Sequence, residues 1–173
     1  EIVQKALQPP PMLFSAPKTI FNVPVTSHTI FGGASFSLEK IKELKNALPG
    51  TTVNDVVLAV CGGAIRNYLN EKGKLPKKSL ITMAPVSVRD EKSKASMGNQ
   101  VSAMLVSLGT NQEDPIERLK TIRRSSRSSK VYSKALKADK LMELIPSELF
   151  ALASRMYIKM ELSEKHNPFY NTI

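Results

Sequence analysis

The run from Thr52 to Leu69 constrains the fold of this chain more than any other segment. Thr52-x-x-Asp55 has the form of a capping box, in which side chains and backbone amides at a helix start satisfy one another. Apolar residues then recur on more than one side of the predicted helix, which indicates burial from several directions. Gly62-Gly63 in its interior costs about 1 kcal/mol per glycine relative to alanine, so we expect another backbone to pass close by.

Two further helices have clear start signals. Ser37 caps a helix with an apolar face, and Pro49-Gly50 ends it. Asp114-Pro115-x-Glu117 combines an acidic cap, a proline at the first helical position and a capping-box glutamate, and the helix should run to about Lys137. A last helical stretch is predicted over 139–164, with an interruption at Pro146.

Strands are predicted over 19–36 (in one or two pieces), 80–88 and 100–108, and another opens at 167–173. Within the second, Pro85 implies a sheet edge or an irregularity. The order of helices and strands predicts an α/β (α+β) fold, in which helices cover a mixed β-sheet. The chain begins without Met and stops within a strand, so we expect a piece of a longer protein.

Composition narrows the class of protein. With 42% hydrophobic and 23% charged residues among 173, the chain is typical of globular domains, and 6% aromatics without Trp predict an aliphatic core. The single cysteine, Cys61, excludes an internal disulfide and fits a buried filler. No apolar run approaches the roughly 20 residues of a membrane span, so we expect a cytoplasmic protein.

The common catalytic and metal-binding motifs are missing. His28 has no acid or nucleophile near it in sequence, and His166 lies at a predicted helix exit. Neither has metal-ligand spacing, so we expect surface or structural roles for both and no metal site. Glycine-rich dinucleotide and phosphate loops and the serine-hydrolase Gly-x-Ser-x-Gly are also absent.

The net charge of +10 is concentrated on one predicted helix. Basic residues recur there at spacings of three and four, which places them on one face: Lys120, Arg123, Arg127, Lys130, Lys134 and Lys137. This face is either simply solvated or meets an anionic partner, such as a phosphorylated cofactor, an acidic lipid surface or nucleic acid. The stripe lacks aromatic stacking platforms and the chain lacks a recognisable binding module, which argues against nucleic acid.

Two polar runs allow a local or a functional interpretation. Asn54 and Asp55 either cap the helix or hold an amide and a carboxylate beside a reacting group. Gly98, Asn99, Gln100 and Ser102 either open a strand or supply donors and acceptors inside a cleft, where glycine lets a ligand approach the backbone.

Taken in order, eight short motifs resemble the bacterial wax ester synthase/diacylglycerol acyltransferases, within the chloramphenicol-acetyltransferase-like superfamily of CoA-dependent acyltransferases. The similarity lies in the order and spacing of the motifs, since each alone is weak. They are Pro17–Asn22, Ser37–Lys42, Thr52–Ala59, Gly63–Leu69, Leu75-Pro76, Pro85–Arg89, Gly98–Ser102 and Asp114–Leu119. The family's His-His-x-x-x-Asp-Gly and Asn-Val-Pro-Gly-Pro are absent from these 173 residues.

The resemblance implies one half of a two-domain fold, with residues 1–18 as an interdomain linker and 19–173 as most of the C-terminal acyltransferase domain. In such enzymes the second histidine of the absent motif is the general base for attack of an alcohol on acyl-CoA, in a tunnel between the halves. The implied acceptors are long-chain alcohols or diacylglycerol, and acyl-CoA is a co-substrate rather than a bound cofactor.

Residue by residue, the resemblance assigns Asn54 and Asp55 a supporting role at the active site. It assigns substrate or CoA contacts to Arg89, Gly98, Asn99, Gln100, Ser102, Arg123 and Arg127, with Ser102 as a candidate oxyanion donor. The lipid products imply a peripheral position on a membrane or lipid droplet. The alternative is a non-catalytic or carrier-protein-linked relative of the same fold, such as a condensation-type or binding module.

Overall fold

The computed structural model describes most of the chain between residues 9 and 136. The full set of described residues is 9–12, 15–23, 26–87, 101–136, 151–152, 155–156, 159 and 170–171. At residues 85–87, 101–103, 133–136 and 170–171 the description covers the backbone only. A three-stranded sheet and three helices lie within these ranges.

The first two helices begin at the predicted residues, and the first ends before Pro49-Gly50, as predicted. Helix α1 spans Leu38–Ala47, and the Ser37 hydroxyl accepts a hydrogen bond from the Lys40 amide at 3.3 Å. Helix α2 spans Val53–Glu71 and begins with a complete capping box at Thr52. It ends where Gly73 adopts a positive φ of 62°, a conformation that costs glycine little.

The sheet is mixed, as predicted. Strands β1 (Ile81–Ser87) and β2 (Val101–Ser107) run antiparallel, with Met83 opposite Leu105. Strand β3 (Tyr170–Asn171) pairs in parallel with the other side of β1, which gives the order β2-β1-β3. Pro85 was predicted at a sheet edge or an irregularity, but β1 is the central strand of the described sheet, and Pro85 lies opposite Ala103 of β2.

Helix α3 spans Pro115–Leu136, which confirms the predicted start; the predicted end near Lys137 lies outside the described residues. The Asp114 carboxylate caps it, accepting from the amides of Ile116 at 2.7 Å and Glu117 at 3.4 Å. The predicted role of Glu117 in a capping box is not seen, because its carboxylate instead binds Lys120 Nζ at 2.7 Å. One turn along the helix is a favourable spacing for that ion pair.

Serines of α3 cover the outer edge of β2. The Ser125 hydroxyl accepts from the Ser107 amide at 2.9 Å, and the Ser129 hydroxyl donates to the Leu105 carbonyl. Leu105 and Ser107 are two residues apart, so their backbone groups point to the same side of the strand. The serines therefore satisfy polar groups that an exposed edge strand would leave open to other chains.

Replacing Ser129 by alanine should lower the free energy of unfolding by about 1–2 kcal/mol, because the Leu105 carbonyl loses its donor in a buried setting. Urea denaturation of the full chain measures the change. The neighbouring Lys130 is exposed, so Lys130→Ala is the matched control and should be neutral within error. Equal stability of both variants would show that the edge does not need the hydroxyl.

The core between α2, α3 and the sheet contains no aromatic ring in the part of the chain described, as the composition predicted. Its buried members are Leu58, Leu69, Leu80, Ala84, Met104, Val106, Leu108 and Ile122. Gly62 allows α2 to lie against the backbone at the end of β2, since a Cβ at this position would overlap the Leu108 carbonyl oxygen. The predicted close passage of a backbone at Gly62 is confirmed.

The strands predicted over 19–36 are wrong for the described residues 19–23 and 26–36, which form turns and irregular chain. Every residue from 26 to 40 is exposed, so no neighbouring strand lies alongside this stretch within the described structure. An alternating pattern needs such a partner to become a strand. The apolar face of α1 is likewise unburied, with Leu38 49% and Leu44 51% exposed.

Two other expectations are met in part. Helix α2 buries Val56, Leu58 and Leu69, but Val53 and Val60 remain 36% and 42% exposed, so it is not enclosed on all sides. Residues 151–152, 155–156 and 159 are helical, and the remainder of the helical stretch predicted over 139–164 lies outside the described residues.

Candidate functional site at the start of helix α2

The start of α2 holds a buried carboxylate. Asp55 is only 2% exposed, and its Oδ2 accepts from both the amide and the hydroxyl of Thr52, each at 2.8 Å. In return, the Thr52 hydroxyl accepts from the Asp55 amide at 3.2 Å. Three hydrogen bonds within four residues fix the carboxylate, and the positive end of the helix dipole favours its charge.

One oxygen of this carboxylate is unused. Asp55 Oδ1 is buried and has no hydrogen-bond partner among the described residues. The hydroxyl of Thr51, a residue 4% exposed, is also buried and also has no hydrogen-bond partner among the described residues. Buried polar atoms nearly always find a partner, so two of them within five residues indicate a place where further groups bind.

Arg123 ties α3 to this site. Its Nη1 donates to the carbonyl oxygen of Pro49 at 2.5 Å, in the connection between α1 and α2. The structure thus brings together two of the predicted residues, Asp55 and Arg123, around one short loop. Asn54, next to Asp55, is exposed, so the Asn-Asp pair divides into one buried and one accessible side chain.

Of the remaining predicted site residues, the structure describes the side chain of one and the backbone of another. Arg127 is exposed one helical turn beyond Arg123. Ser102 lies opposite Val86 in the β1–β2 register, and its side chain is not among those described. Arg89, Gly98, Asn99 and Gln100 lie outside the described residues.

A pair of arginines at the connection from β2 to α3 was not predicted from the sequence. Arg118, 8% exposed, donates from Nη2 to the carbonyls of Gln112 and Glu113, both at 3.0 Å, and Arg66 donates to that of Thr110 at 2.8 Å. Burial first, and then the nearby Arg66 charge, hold the pKa of Arg118 below its usual value. The pair fixes the connection from β2 to α3.

Two glycines could have revealed this pair. A Cβ on Gly63 would lie 2.8 Å from Arg118 Nη1, and one on Gly109 would lie 2.9 Å from its Cγ. A glycine inside α2 and another two residues after β2 thus make room for the same side chain. The signal is present in the sequence, but only the fold shows that both glycines face Arg118.

The chain is similar to known acyltransferases over most of its length. A family model described as the WS/DGAT C-terminal domain matches residues 97–167. The O-acyltransferase WSD of Acinetobacter baylyi is 41% identical over 129 residues, which are 75% of this chain and 28% of that protein. A probable diacylglycerol O-acyltransferase of Mycobacterium tuberculosis is 44% identical over 117 residues, 68% of this chain and 26% of that protein.

The fold shows the same relationship. The wax ester synthase/diacylglycerol acyltransferase of Marinobacter aquaeolei superposes with a TM-score of 0.57 at 28% identity, over 80% of this chain and 28% of that structure. This chain therefore spans about a quarter of the length of the proteins it matches. The expected fold class, a mixed sheet covered by helices, is confirmed. The chain belongs to the wax ester synthase/diacylglycerol acyltransferase family, whose C-terminal domain it resembles.

Proposed function

We propose that this chain forms the C-terminal part of an O-acyltransferase, which moves a fatty acyl group from acyl-CoA to a long-chain alcohol or to diacylglycerol. The product is a wax ester or a triacylglycerol. The observation that carries this proposal is the 41% identity over 129 residues to an O-acyltransferase. Residues 1–18 then serve as an interdomain linker, and 19–173 belong to the C-terminal domain.

The reaction needs a general base that this chain does not supply. A base removes the proton of the acceptor hydroxyl, the oxygen forms a bond to the thioester carbon, and the C–S bond breaks to release CoA as its thiol. The sequence contains no His-His-x-x-x-Asp-Gly, and His28 is exposed on irregular chain. The base therefore comes from an N-terminal half that carries this motif.

The site at the start of α2 lines one side of the tunnel between the two halves, opposite the N-terminal half that carries the base. Asp55 is held rigidly by Thr52, and its free Oδ1 can accept a hydrogen bond from a group of the N-terminal half. Such a contact would position the catalytic elements of one half against the other. Asn54, being exposed, is available to substrate or to the facing surface.

Substrate contacts follow from the remaining polar residues. Arg123 and Arg127 lie on the basic face of α3, where they can meet the phosphates of acyl-CoA, the co-substrate. Arg89, Gly98, Asn99, Gln100 and Ser102 are proposed to line the acyl tunnel, with Ser102 as a donor to the oxyanion. No permanently bound cofactor, metal or nucleic acid takes part in this proposal.

Lipid acceptors and products place the enzyme at the cytoplasmic surface of a membrane or lipid droplet as a peripheral protein. The basic face of α3 is compatible with anionic headgroups. Within the part of the chain described, no helix combines the length and the apolar character that crossing a bilayer requires.

The test compares the chain alone with the chain joined to the N-terminal region of the Acinetobacter baylyi relative. With palmitoyl-CoA and hexadecanol as substrates, we expect no hexadecyl palmitate from the chain alone and turnover from the joined protein, measured by mass spectrometry. Product formed by the 173 residues alone would refute the assignment of the base. Transfer only from an acyl carrier protein, never from CoA, would favour the condensation-type alternative.

A further inference from the structure

A long stretch of this chain faces solvent although it is rich in large apolar side chains. Every residue from 26 to 40 is exposed. Ile30, Phe31 and Phe36 are 87%, 98% and 65% exposed, and Leu38 and Leu44 of α1 follow at 49% and 51%. Single exposed apolar residues are ordinary, but five within fifteen residues mark an interaction surface. We call residues 30–44 the apolar segment.

The first part of the apolar segment, residues 30–38, which we call its tip, contains no charged side chain that would oppose burial. No Asp, Glu, Lys or Arg occurs between residues 19 and 38. Phe31 is followed by Gly32 and Gly33, and a Cβ on Gly32 would meet no atom within 4 Å, so the backbone there is unencumbered. The tip could enter an apolar medium without desolvating an ionised side chain, which is the largest cost of such a step.

Charges are instead arranged along α1. At about 100° per residue, Leu38, Ile41 and Leu44 share one side of the helix, whereas Glu39 and Glu43 lie across from it. Lys40 and Lys42 border the apolar side and are exposed, whereas Lys45 lies within that side and is half-buried. Apolar side chains flanked by lysines, with the acids turned away, are the pattern of a helix that lies in a membrane interface.

We propose that the apolar segment docks on an anionic lipid surface, with Ile30 and Phe31 among the acyl chains and Lys40 and Lys42 of α1 at the headgroups. This inference rests on the proposed function, since a lipid acceptor must reach the enzyme from such a surface. The charge favours lipid over a second copy of the chain, because two molecules of net charge +10 repel each other.

The absence of tryptophan makes a direct test possible. In the Phe31→Trp variant the introduced indole is the only one in the chain. Its emission should shift to the blue with vesicles of phosphatidylcholine and phosphatidylglycerol, and brominated acyl chains should quench it. The Val60→Trp variant is the matched control, because Val60 is 42% exposed on α2, outside the apolar segment and the basic face of α3, and it should show neither change.

Affinity provides the second readout. Replacing Ile30 and Phe31 together by serine should weaken vesicle binding at least about tenfold in a flotation assay. Replacing Lys40 and Lys42 by glutamine should weaken binding to anionic vesicles at least about tenfold and reduce its salt dependence. Far-UV circular dichroism should remain unchanged in both variants, since the altered side chains are exposed or on the surface of α1.

Three outcomes would overturn the proposal. Vesicle binding without quenching at position 31 would place the contact elsewhere. A blue shift that grows with protein concentration in the absence of lipid would show that a second copy covers the segment. A blue shift in the protein joined to the relative's N-terminal region, without lipid, would assign the segment to an interface between the two halves. None of these measurements involves turnover, so their failure would leave the proposed acyl transfer standing.

Discussion

Replacing Gly62 by alanine is expected to lower the free energy of unfolding by about 2 kcal/mol or more. The added Cβ would overlap the carbonyl oxygen of Leu108, which belongs to the backbone leaving β2 and cannot swing aside as a side chain could. Alanine stabilises a helix by about 1 kcal/mol relative to glycine, so the expected loss of stability is the cost of the overlap minus this gain. Thermal or urea unfolding of the full chain measures it.

Gly63→Ala is the natural control, because it has the same propensity gain one residue along the same helix. There the new Cβ would meet the terminal Nη1 of Arg118 at 2.8 Å, the far end of a long side chain that can move by a few tenths of an ångström. We expect a change within about 1 kcal/mol of zero. If both variants were equally stable, α2 and β2 would not be held at the distance that Gly62 permits.

Local signals predicted the helix starts because caps are made by residues a few positions apart. Thr52 with Asp55, Ser37 and Asp114 all act on amides within their own first turn, so their role is visible before any fold is known. Gly62 was also informative, since a glycine inside a helix has a cost that only a close neighbour explains.

Non-local features escaped the same reasoning. The alternation over 19–36 predicted strands, yet a strand depends on a partner that the sequence does not identify, and the described residues 26–36 have none. Arg118 was not singled out because its burial rests on carbonyls of the loop at 112–113 and on space left by Gly63 and Gly109. The capping role of Asp55 was evident, but its burial and unused oxygen were not.

Asp55→Asn is expected to separate the capping role of this residue from its role at the site. An asparagine oxygen in place of Oδ2 can still accept from the Thr52 amide and hydroxyl, whereas its NH₂ replaces the free Oδ1 and turns an acceptor into a donor. We therefore expect stability to fall by less than about 1 kcal/mol. Turnover of the chain joined to the relative's N-terminal region should fall about 10- to 100-fold, the range for losing a hydrogen bond to a charged group.

Thr52→Ala is expected to give the opposite result. It removes the hydroxyl that accepts from the Asp55 amide and donates to Oδ2, which should cost about 1 kcal/mol of stability. Because it leaves Oδ1 unchanged, turnover should remain within about threefold of the parent protein at temperatures where both are folded. If Asp55→Asn also kept full turnover, the carboxylate would act only as a helix cap. The contact with the N-terminal half would then have to involve the other buried atom without a partner, the hydroxyl oxygen of Thr51.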